Sequence, residues 1–235
     1  MSVQNLLEQL RSLASESVAA ILRKHGAQEP VWGVKVEDMK KLLKPHKNDV
    51  ALACALFDSG VYDAQYLAGL MADGRLMSEA QLQHWVESAN AHAIREYSVA
   101  WVTAESPFAM SMALRWIDDE DAAVAATGWA VLTQFISVTP DEKLDLVLLE
   151  SLLTRVKSGV HQQQNRVRSA MNHYVIALGC FVLPLHAAAL AAGEAIGKVA
   201  VDVGDTACKI PFAPEYIKKV VQRGSVGKKR KSVKC

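Results

Sequence analysis

Residue patterns that start and stop helices recur at short intervals along the whole chain. Their close spacing constrains the fold more than any other feature of the sequence. Ser78 is followed three residues later by Gln81, which is the pattern of a capping box. Ser106 and Thr139 each precede a proline, the residue best suited to the first helical position. Together these signals predict short loops and helix starts near residues 35, 48, 62, 78, 93, 106, 120, 140, 161 and 185.

The apolar residues of the amino-terminal region are spaced as one face of a helix. Leu6, Leu10 and Leu13 begin a stripe that continues to Leu22 and stops before Gly26, which predicts one helix there. Hydrophobic residues make up 51% of the chain, but aromatic residues make up only 6%. The apolar content therefore leans on Ala and Leu, which lose little rotamer freedom in a helix.

The predicted helices pair at a spacing of roughly 30 to 40 residues, which is the period of helical-repeat arrays. Amphipathic helices of this length cannot bury their apolar stripes alone, so each pair must stack on its neighbours. The sequence therefore predicts an all-α fold, an α-solenoid or superhelix of HEAT-like antiparallel helix pairs, over residues 1–197. A globular helical bundle is the alternative architecture.

The pattern changes after residue 197. Residues 198–203 alternate between polar and apolar in the manner of a strand, and Pro211 and Pro214 discourage a long helix. We therefore expect residues 198–222 to form an irregular segment packed on the helical domain. Gly224 and Gly227 then predict a flexible basic tail over residues 223–235.

Charge is distributed unevenly along the chain. Eight lysine and arginine residues and no acid follow Glu215, although the whole chain carries only +1, which leaves −7 on residues 1–215. A basic tail on an acidic body indicates a polyanionic partner for the tail, and a solvated terminus is the alternative. The residues that we expect to bind the polyanion are Lys228, Lys229, Arg230 and Lys231.

A second candidate anion site lies at the predicted helix start near residue 161. Asn165, Arg168 and Asn172 share one face of that helix, and Arg166 lies beside them. Free N–H groups and arginines at a helix start bind phosphate well, so Arg166 and Arg168 are candidate contacts. The alternative is a solvated helix start whose arginines pair with acids of a neighbouring repeat.

One predicted helix combines an aromatic ring with carboxylates. Trp101 and Glu105 stand four residues apart and share a face, and Glu96 pairs with His92 at the same spacing. A ring and a carboxylate together suit a cation, such as the positive charge that develops on a sugar when its glycosidic bond breaks. In the alternative interpretation, Trp101 belongs to the core and Glu105 only ends its helix.

The sequence contains no recognisable cofactor or metal motif. Its four cysteines lack zinc or redox spacing, and Asp202, Asp205 and Cys208 offer too few oxygen ligands for a hard metal. No apolar run reaches the roughly 18 residues of a membrane span, and the amino terminus lacks the pattern of a signal peptide. We therefore expect a cytoplasmic protein with neither cofactor nor membrane partner.

Several stretches resemble the bacterial DNA alkylation repair (AlkD-like) family over about residues 30 to 190. They are VWGVKVEDMKKLLK, ALACALFDSG, LRWIDDEDAAVAATGWAVLTQF and QNRVRSAMNHYVIALG. The resemblance implies a concave array of HEAT-like helix pairs that cradles double-stranded DNA by its phosphate backbone. It also implies that active members excise cationic N3- or N7-alkylpurines with tryptophans, an aspartate and an arginine.

The sequence departs from that family at the reactive residues. Residues 92–105 contain no aspartate, and Ala125, Ala126 and Thr127 occupy the region expected to carry the arginine. The resemblance thus predicts a DNA-binding protein of a subgroup that lacks the catalytic Asp and Arg. If it is an enzyme, it is a DNA N-glycosylase acting on cationic alkylpurines, with catalytic candidates Glu96, Trp101 and Glu105. The alternative is a non-enzymatic HEAT-repeat scaffold for a protein partner, which the acidic body favours.

Overall fold

The computed structural model describes residues 2–234, and that range contains helices, turns and loops but no strand. The all-α class predicted from the sequence is therefore confirmed. The α-helices, in chain order, are α1 (Val3–Ser12), α2 (Glu16–Lys24), α3 (Val36–Leu43), α4 (Val50–Phe57), α5 (Tyr62–Met71), α6 (Glu79–Ser88), α7 (His92–Ile94), α8 (Ala100–Glu105), α9 (Ala109–Trp116), α10 (Ala122–Val138), α11 (Leu146–Gly159), α12 (Asn165–Phe181), α13 (His186–Ile196) and α14 (Ala213–Gln222). A π-helical turn, Arg95–Val99, joins α7 to α8.

The chain divides into two compact units. The first unit consists of Met1–Met112, Gly204–Thr206 and Lys234–Cys235. The second consists of Ala113–Val203 and Ala207–Val233. Helices α1 to α8 therefore belong to the first unit, and α10 to α14 to the second.

Most of the predicted helix starts agree with the structure. Helices α3, α5, α6 and α7 begin within one residue of the predicted positions. The capping box is present, because Ser78 Oγ accepts the Gln81 N–H at 3.3 Å and Gln81 Oε1 accepts the Ser78 N–H at 2.9 Å. At α6, the pattern of capping residues therefore indicates correctly where the helix begins.

The predicted single helix at the amino terminus is wrong, because the structure has two helices there. Helix α1 ends at Ser12 and α2 begins at Glu16. The Ser15 N–H donates to the Trp32 carbonyl at 2.9 Å, which is incompatible with a continuing helix. A long-range hydrogen bond therefore overrides an unbroken apolar stripe.

Helices α9 and α11 also begin later than the positions predicted from Pro107 and Pro140. After Pro107 the chain makes a turn, with Ser106 Oγ accepting the Phe108 N–H at 3.2 Å, and α9 starts only at Ala109. After Pro140 a short 3-10 turn precedes α11, whose real cap is Asp145, which accepts the Leu148 N–H at 3.0 Å. In the second case a side chain further along the chain, that of Asp145, supplies the acceptor that the first turn needs.

A buried carboxylate organises the first unit. Asp63, fully buried on α5, accepts the N–H groups of Trp32 at 2.7 Å, Gly33 at 3.3 Å and Val34 at 2.7 Å. Gly33 has φ +74, and a Cβ on it would lie 2.3 Å from the Ala19 nitrogen. The loop between α2 and α3 is therefore fixed on α5 by three backbone donors and one obligatory glycine.

Helices α10 and α12 form the core of the second unit. Trp129 and Tyr174, both fully buried, meet with ring centroids 5.2 Å apart, and Tyr174 donates to the Leu149 carbonyl at 2.9 Å. Burial raises the pKa of the Tyr174 hydroxyl strongly. Among the described residues no single helix is both long and apolar enough to cross a membrane, and the apolar pair Asn165–Phe181 and Leu183–Ile196 is bent by 113°.

The segment between α13 and α14 has no regular secondary structure, and its alternating residues 198–203 form no strand. Two asparagines of α12 hold it in place. Asn165 donates to the Asp202 carbonyl and accepts the Asp202 N–H, both at 2.7 Å, and buried Asn172 donates to the Pro211 carbonyl at 3.0 Å. Side chains thus satisfy backbone groups that a sheet would otherwise pair.

Candidate nucleic-acid interface

The start of α12 carries the first pair of predicted phosphate contacts. Arg166 is half-buried, and its side chain has no hydrogen-bond or ion-pair partner within residues 2–234. Gln164, which precedes the helix, makes no side-chain cap to it. The first turn of α12 therefore presents uncapped N–H groups next to a guanidinium that no carboxylate neutralises, which suits an anion.

The neighbouring face of α12 is already occupied. Arg168 Nη2 contacts Asn165 Oδ1 at 3.4 Å, and Arg168 Nε is buried without a partner among the described residues. Asn165 and Asn172, which the sequence placed on the same face, bind the loop between α13 and α14. The structure therefore assigns most of this face to internal packing and leaves Arg166 as its available cation.

The basic tail packs on the carboxyl ends of α10 and α12. The Gly227 N–H donates to the Cys180 carbonyl at 2.9 Å, and the Arg230 N–H donates to the Ser137 carbonyl at 2.8 Å. Val233 is only 1% exposed. Positive charge at the carboxyl end of a helix is favourable, because the last carbonyl groups carry partial negative charge.

The tail cations differ in what they contact. Lys229 pairs with Asp141 at 2.7 Å and donates to the Ile136 carbonyl at 3.0 Å. Arg230 donates to Gln134 Oε1 at 3.1 Å. Lys228 and Lys231 are exposed, and their side chains have no partner in the described part of the chain. Of the four tail cations predicted to bind a polyanion, these two lysines therefore remain available.

The two predicted phosphate sites lie far apart. The tail meets α12 at Cys180, near its carboxyl end, whereas Arg166 stands in its first turn. Fourteen residues of α-helix separate them, which corresponds to about 21 Å. The structure therefore does not bring the arginines and the tail lysines together into one site.

A polar cleft of about 220 Å³ lies at the amino ends of α10 and α12. Asp118, Asp119 and Glu120 line it, together with Arg155 from α11. Arg155 pairs with Asp118 at 2.7 Å, and its guanidinium lies 5.7 Å from the ring centroid of buried Trp129. Sequence reasoning missed Arg155, because nothing in the spacing of α11 indicates this contact. Three acids make the cleft a poor phosphate site.

The catalytic candidates on the helix of residues 92–105 do not form an open site. Trp101 is only 4% exposed and is enclosed by Tyr66 and Tyr97, each with its ring centroid 5.6 Å away. Glu105 Oε2 pairs with Lys234 Nζ at 3.0 Å. Glu96 lies half-buried in the π-helical turn. The ring is thus part of the core of the first unit, and one of the two carboxylates is neutralised by the tail.

No group of three His, Cys, Asp or Glu side chains within residues 2–234 is arranged to hold a metal ion. Cys54 and Cys180 are free thiols, and Cys235 lies outside the described residues. Burial raises the pKa of the Cys180 thiol to about 11, so that thiol is poorly nucleophilic near neutral pH.

Among the described residues, α12 thus has an unneutralised arginine in its first turn and a basic tail at its carboxyl end. The chain belongs to the DNA alkylation repair enzyme family, whose model matches residues 6–217. Two uncharacterized relatives, Lin0241 of Listeria innocua and Lmo0209 of Listeria monocytogenes, are 29% and 28% identical to it over 220 residues. Each alignment covers 92% of this chain and 95% of the relative.

A solved structure extends the similarity to the whole chain. It is described as "A new family of proteins related to the HEAT-like repeat DNA glycosylases with affinity for branched DNA structures". It is 31% identical, superimposes with a TM-score of 0.93, and covers 100% of both chains. The HEAT-like fold that was predicted from the sequence is thereby confirmed, and so is the predicted family.

Proposed function

We propose that this protein binds branched double-stranded DNA through the phosphate backbone and does not excise bases. The similarity to the solved structure carries the proposal, since it runs over the full length of both chains and that protein is described as having affinity for branched DNA. Arg166, Lys228 and Lys231 support the proposal in this chain, because their charges are not neutralised by its own carboxylates.

These cations suit contacts to phosphates rather than to bases. Lysines and arginines that neutralise phosphates release counterions, which gives affinity without sequence preference. The distance of about 21 Å between the two ends of α12 corresponds to about six phosphates along one strand, at 3.4 Å each. One protein molecule can therefore contact DNA at two points about 21 Å apart, for example one point on each of two arms of a branched DNA.

Three features support binding without excision. Buried Trp101 has no free face for a sugar or base, and Glu105 is paired with Lys234. Helix α10 offers Ala125 and Ala126 where the family resemblance implies an arginine. A glycosylase needs an exposed group that stabilises positive charge on the sugar, and these residues do not supply one.

Fluorescence anisotropy with a labelled four-way junction and a linear duplex of the same strand length tests the binding preference. We expect the junction to bind at least tenfold more tightly at about 0.1 M salt, where phosphate contacts still contribute strongly. Equal affinity for the junction and the duplex would remove branched DNA as the preferred partner.

A separate assay tests the absence of excision. Duplex DNA containing 7-methylguanine is incubated with the protein, and released base is measured by chromatography. We expect release no faster than the spontaneous rate of the lesion in buffer. Protein-dependent release would contradict the absence of excision, and Glu96→Gln and Glu105→Gln would then test whether either carboxylate acts in catalysis.

A further inference from the structure

A row of lysines lies on the outer side of α3 and the turn that follows it. Lys40 lies in α3, Lys44 directly follows that helix and opens a 3-10 turn, and Lys47 follows the turn. All three side chains are exposed. We call these three residues the helix-3 lysine row. Sequence reasoning gave this stretch no functional role.

The packing of α3 and of the turn after it keeps the lysine row at the surface of the first unit. Helix α3 buries Met39, which is 2% exposed, whereas Lys40 beside it is exposed. Beyond the helix, Asn48 takes the left-handed conformation, with φ +69, and its N–H donates to the Met71 carbonyl at 2.9 Å. Both ends of the row are therefore anchored to the first unit, which keeps the ammonium groups on a fixed surface.

The carboxylates near the row are mostly engaged elsewhere. Asp38 pairs with Lys41 at 2.6 Å, and Asp49 accepts the Leu52 N–H at 3.0 Å as the cap of α4. Within residues 2–234, no side chain pairs with any lysine of the row. Glu37, at the opposite end of α3, is the remaining acid. The row is thus a local excess of positive charge on a chain that is acidic outside its carboxyl-terminal region.

Helix stability alone does not explain the row. Cations in the last turn of a helix are stabilised by the helix dipole, an effect confined to that turn. That accounts for Lys40, because α3 ends at Leu43. Lys44 and Lys47 lie beyond the last residue of α3, and Lys47 also lies beyond the 3-10 turn of residues 44–46.

We infer that the helix-3 lysine row is a second DNA-binding surface, which contacts phosphates independently of the cations along α12. This inference rests on the proposed function and adds to it a contact in the first unit, whereas Arg166, Lys228 and Lys231 all belong to the second. A row of unpaired ammonium groups suits the dense, regular charge of a phosphate backbone better than it suits an acidic peptide, whose carboxylates have no fixed repeat.

Salt titrations of three proteins test the inference: the wild type, Lys40→Glu/Lys44→Glu/Lys47→Glu, and a control, Lys24→Glu/Lys143→Glu/Lys157→Glu. The control makes the same charge change at three exposed lysines outside the row that also lack ion-pair partners among the described residues. Affinity for a labelled four-way junction is measured by anisotropy between about 50 and 200 mM salt, the range over which phosphate contacts change affinity most visibly. Thermal unfolding by circular dichroism confirms that each variant is folded.

We expect the row variant to lose on the order of 100-fold in affinity at about 50 mM salt, and its log–log salt slope to become shallower by about 3, one for each lost contact. The control should keep the wild-type slope.

If the wild type binds the junction and the row variant behaves as the control does, the row is not a binding surface and the proposed function stands. If the wild type binds no DNA with a salt-dependent affinity, both proposals fail. If both variants lose affinity to the same extent, the loss comes from the change in net charge, and the inference that the row is a DNA-binding surface is wrong.

Discussion

Asp63 shows how a single side chain can determine the path of a loop. Its carboxylate is fully buried on α5 and accepts three consecutive N–H groups, those of Trp32, Gly33 and Val34. A buried carboxylate is tolerated when hydrogen bonds replace its lost hydration. Here the backbone supplies those bonds, and the loop in turn gains a fixed conformation at the start of α3.

Replacing Asp63 with asparagine should destabilise the first unit. The amide keeps one acceptor but turns an NH₂ group toward backbone donors, which leaves buried N–H groups unpaired. We expect a loss of about 2 kcal/mol in the free energy of unfolding, measured by urea denaturation. Asp205→Asn, the same change at an exposed aspartate, is the control and should be close to neutral. Equal stability of both variants would show that the charge of Asp63 is dispensable.

At the scale of elements, capping residues were the most informative part of the sequence. The Ser78–Gln81 capping box indicated the start of α6 correctly, because both hydrogen bonds form between residues three apart. The break between α1 and α2 was not predictable, since it depends on Ser15 binding the carbonyl of Trp32, which is distant in sequence. Local patterns therefore determined helix positions, whereas long-range hydrogen bonds determined where some helices were interrupted.

The same distinction explains the outcome for the candidate sites. The face of Asn165, Arg168 and Asn172 was grouped correctly by helical spacing, but its occupant is the irregular segment of residues 197–212. The cation–π contact of Arg155 with Trp129 could not be read from sequence either. The periodicity of a sequence predicts which residues share a face of a helix. Only the tertiary structure shows which part of the protein packs against that face.

The irregular segment should loosen when its asparagine contacts are removed. Asn172→Ala deletes the donor to the Pro211 carbonyl, and Asn165→Ala deletes both bonds to Asp202. We expect the double variant to be cleaved by trypsin after Lys198 or Lys209 at least tenfold faster than the wild type, because cleavage requires local opening. Mass spectrometry identifies the cut positions. Asn5→Ala, whose amide contacts Gln9 within α1, is the control, and faster cleavage there as well would point to a general loss of stability.

At the scale of the whole molecule, some cations have internal partners and others do not. Lys229 and Lys234 pair with Asp141 and Glu105, so part of the basic tail serves to fix the tail on the protein. Arg166, Lys228 and Lys231 in the second unit lack such partners among the described residues, as does the helix-3 lysine row in the first. A net charge of only +1 therefore coexists with local surfaces suited to a polyanion.

The measurement that tests the account most directly is the salt dependence of binding to two four-way junctions of unrelated base sequence. Recognition through phosphates predicts the same affinity for both junctions and a log–log slope of about −5, since six cations are proposed to take part. A flat salt response, or affinities that differ more than tenfold between the two sequences, would contradict recognition of branched DNA through its backbone.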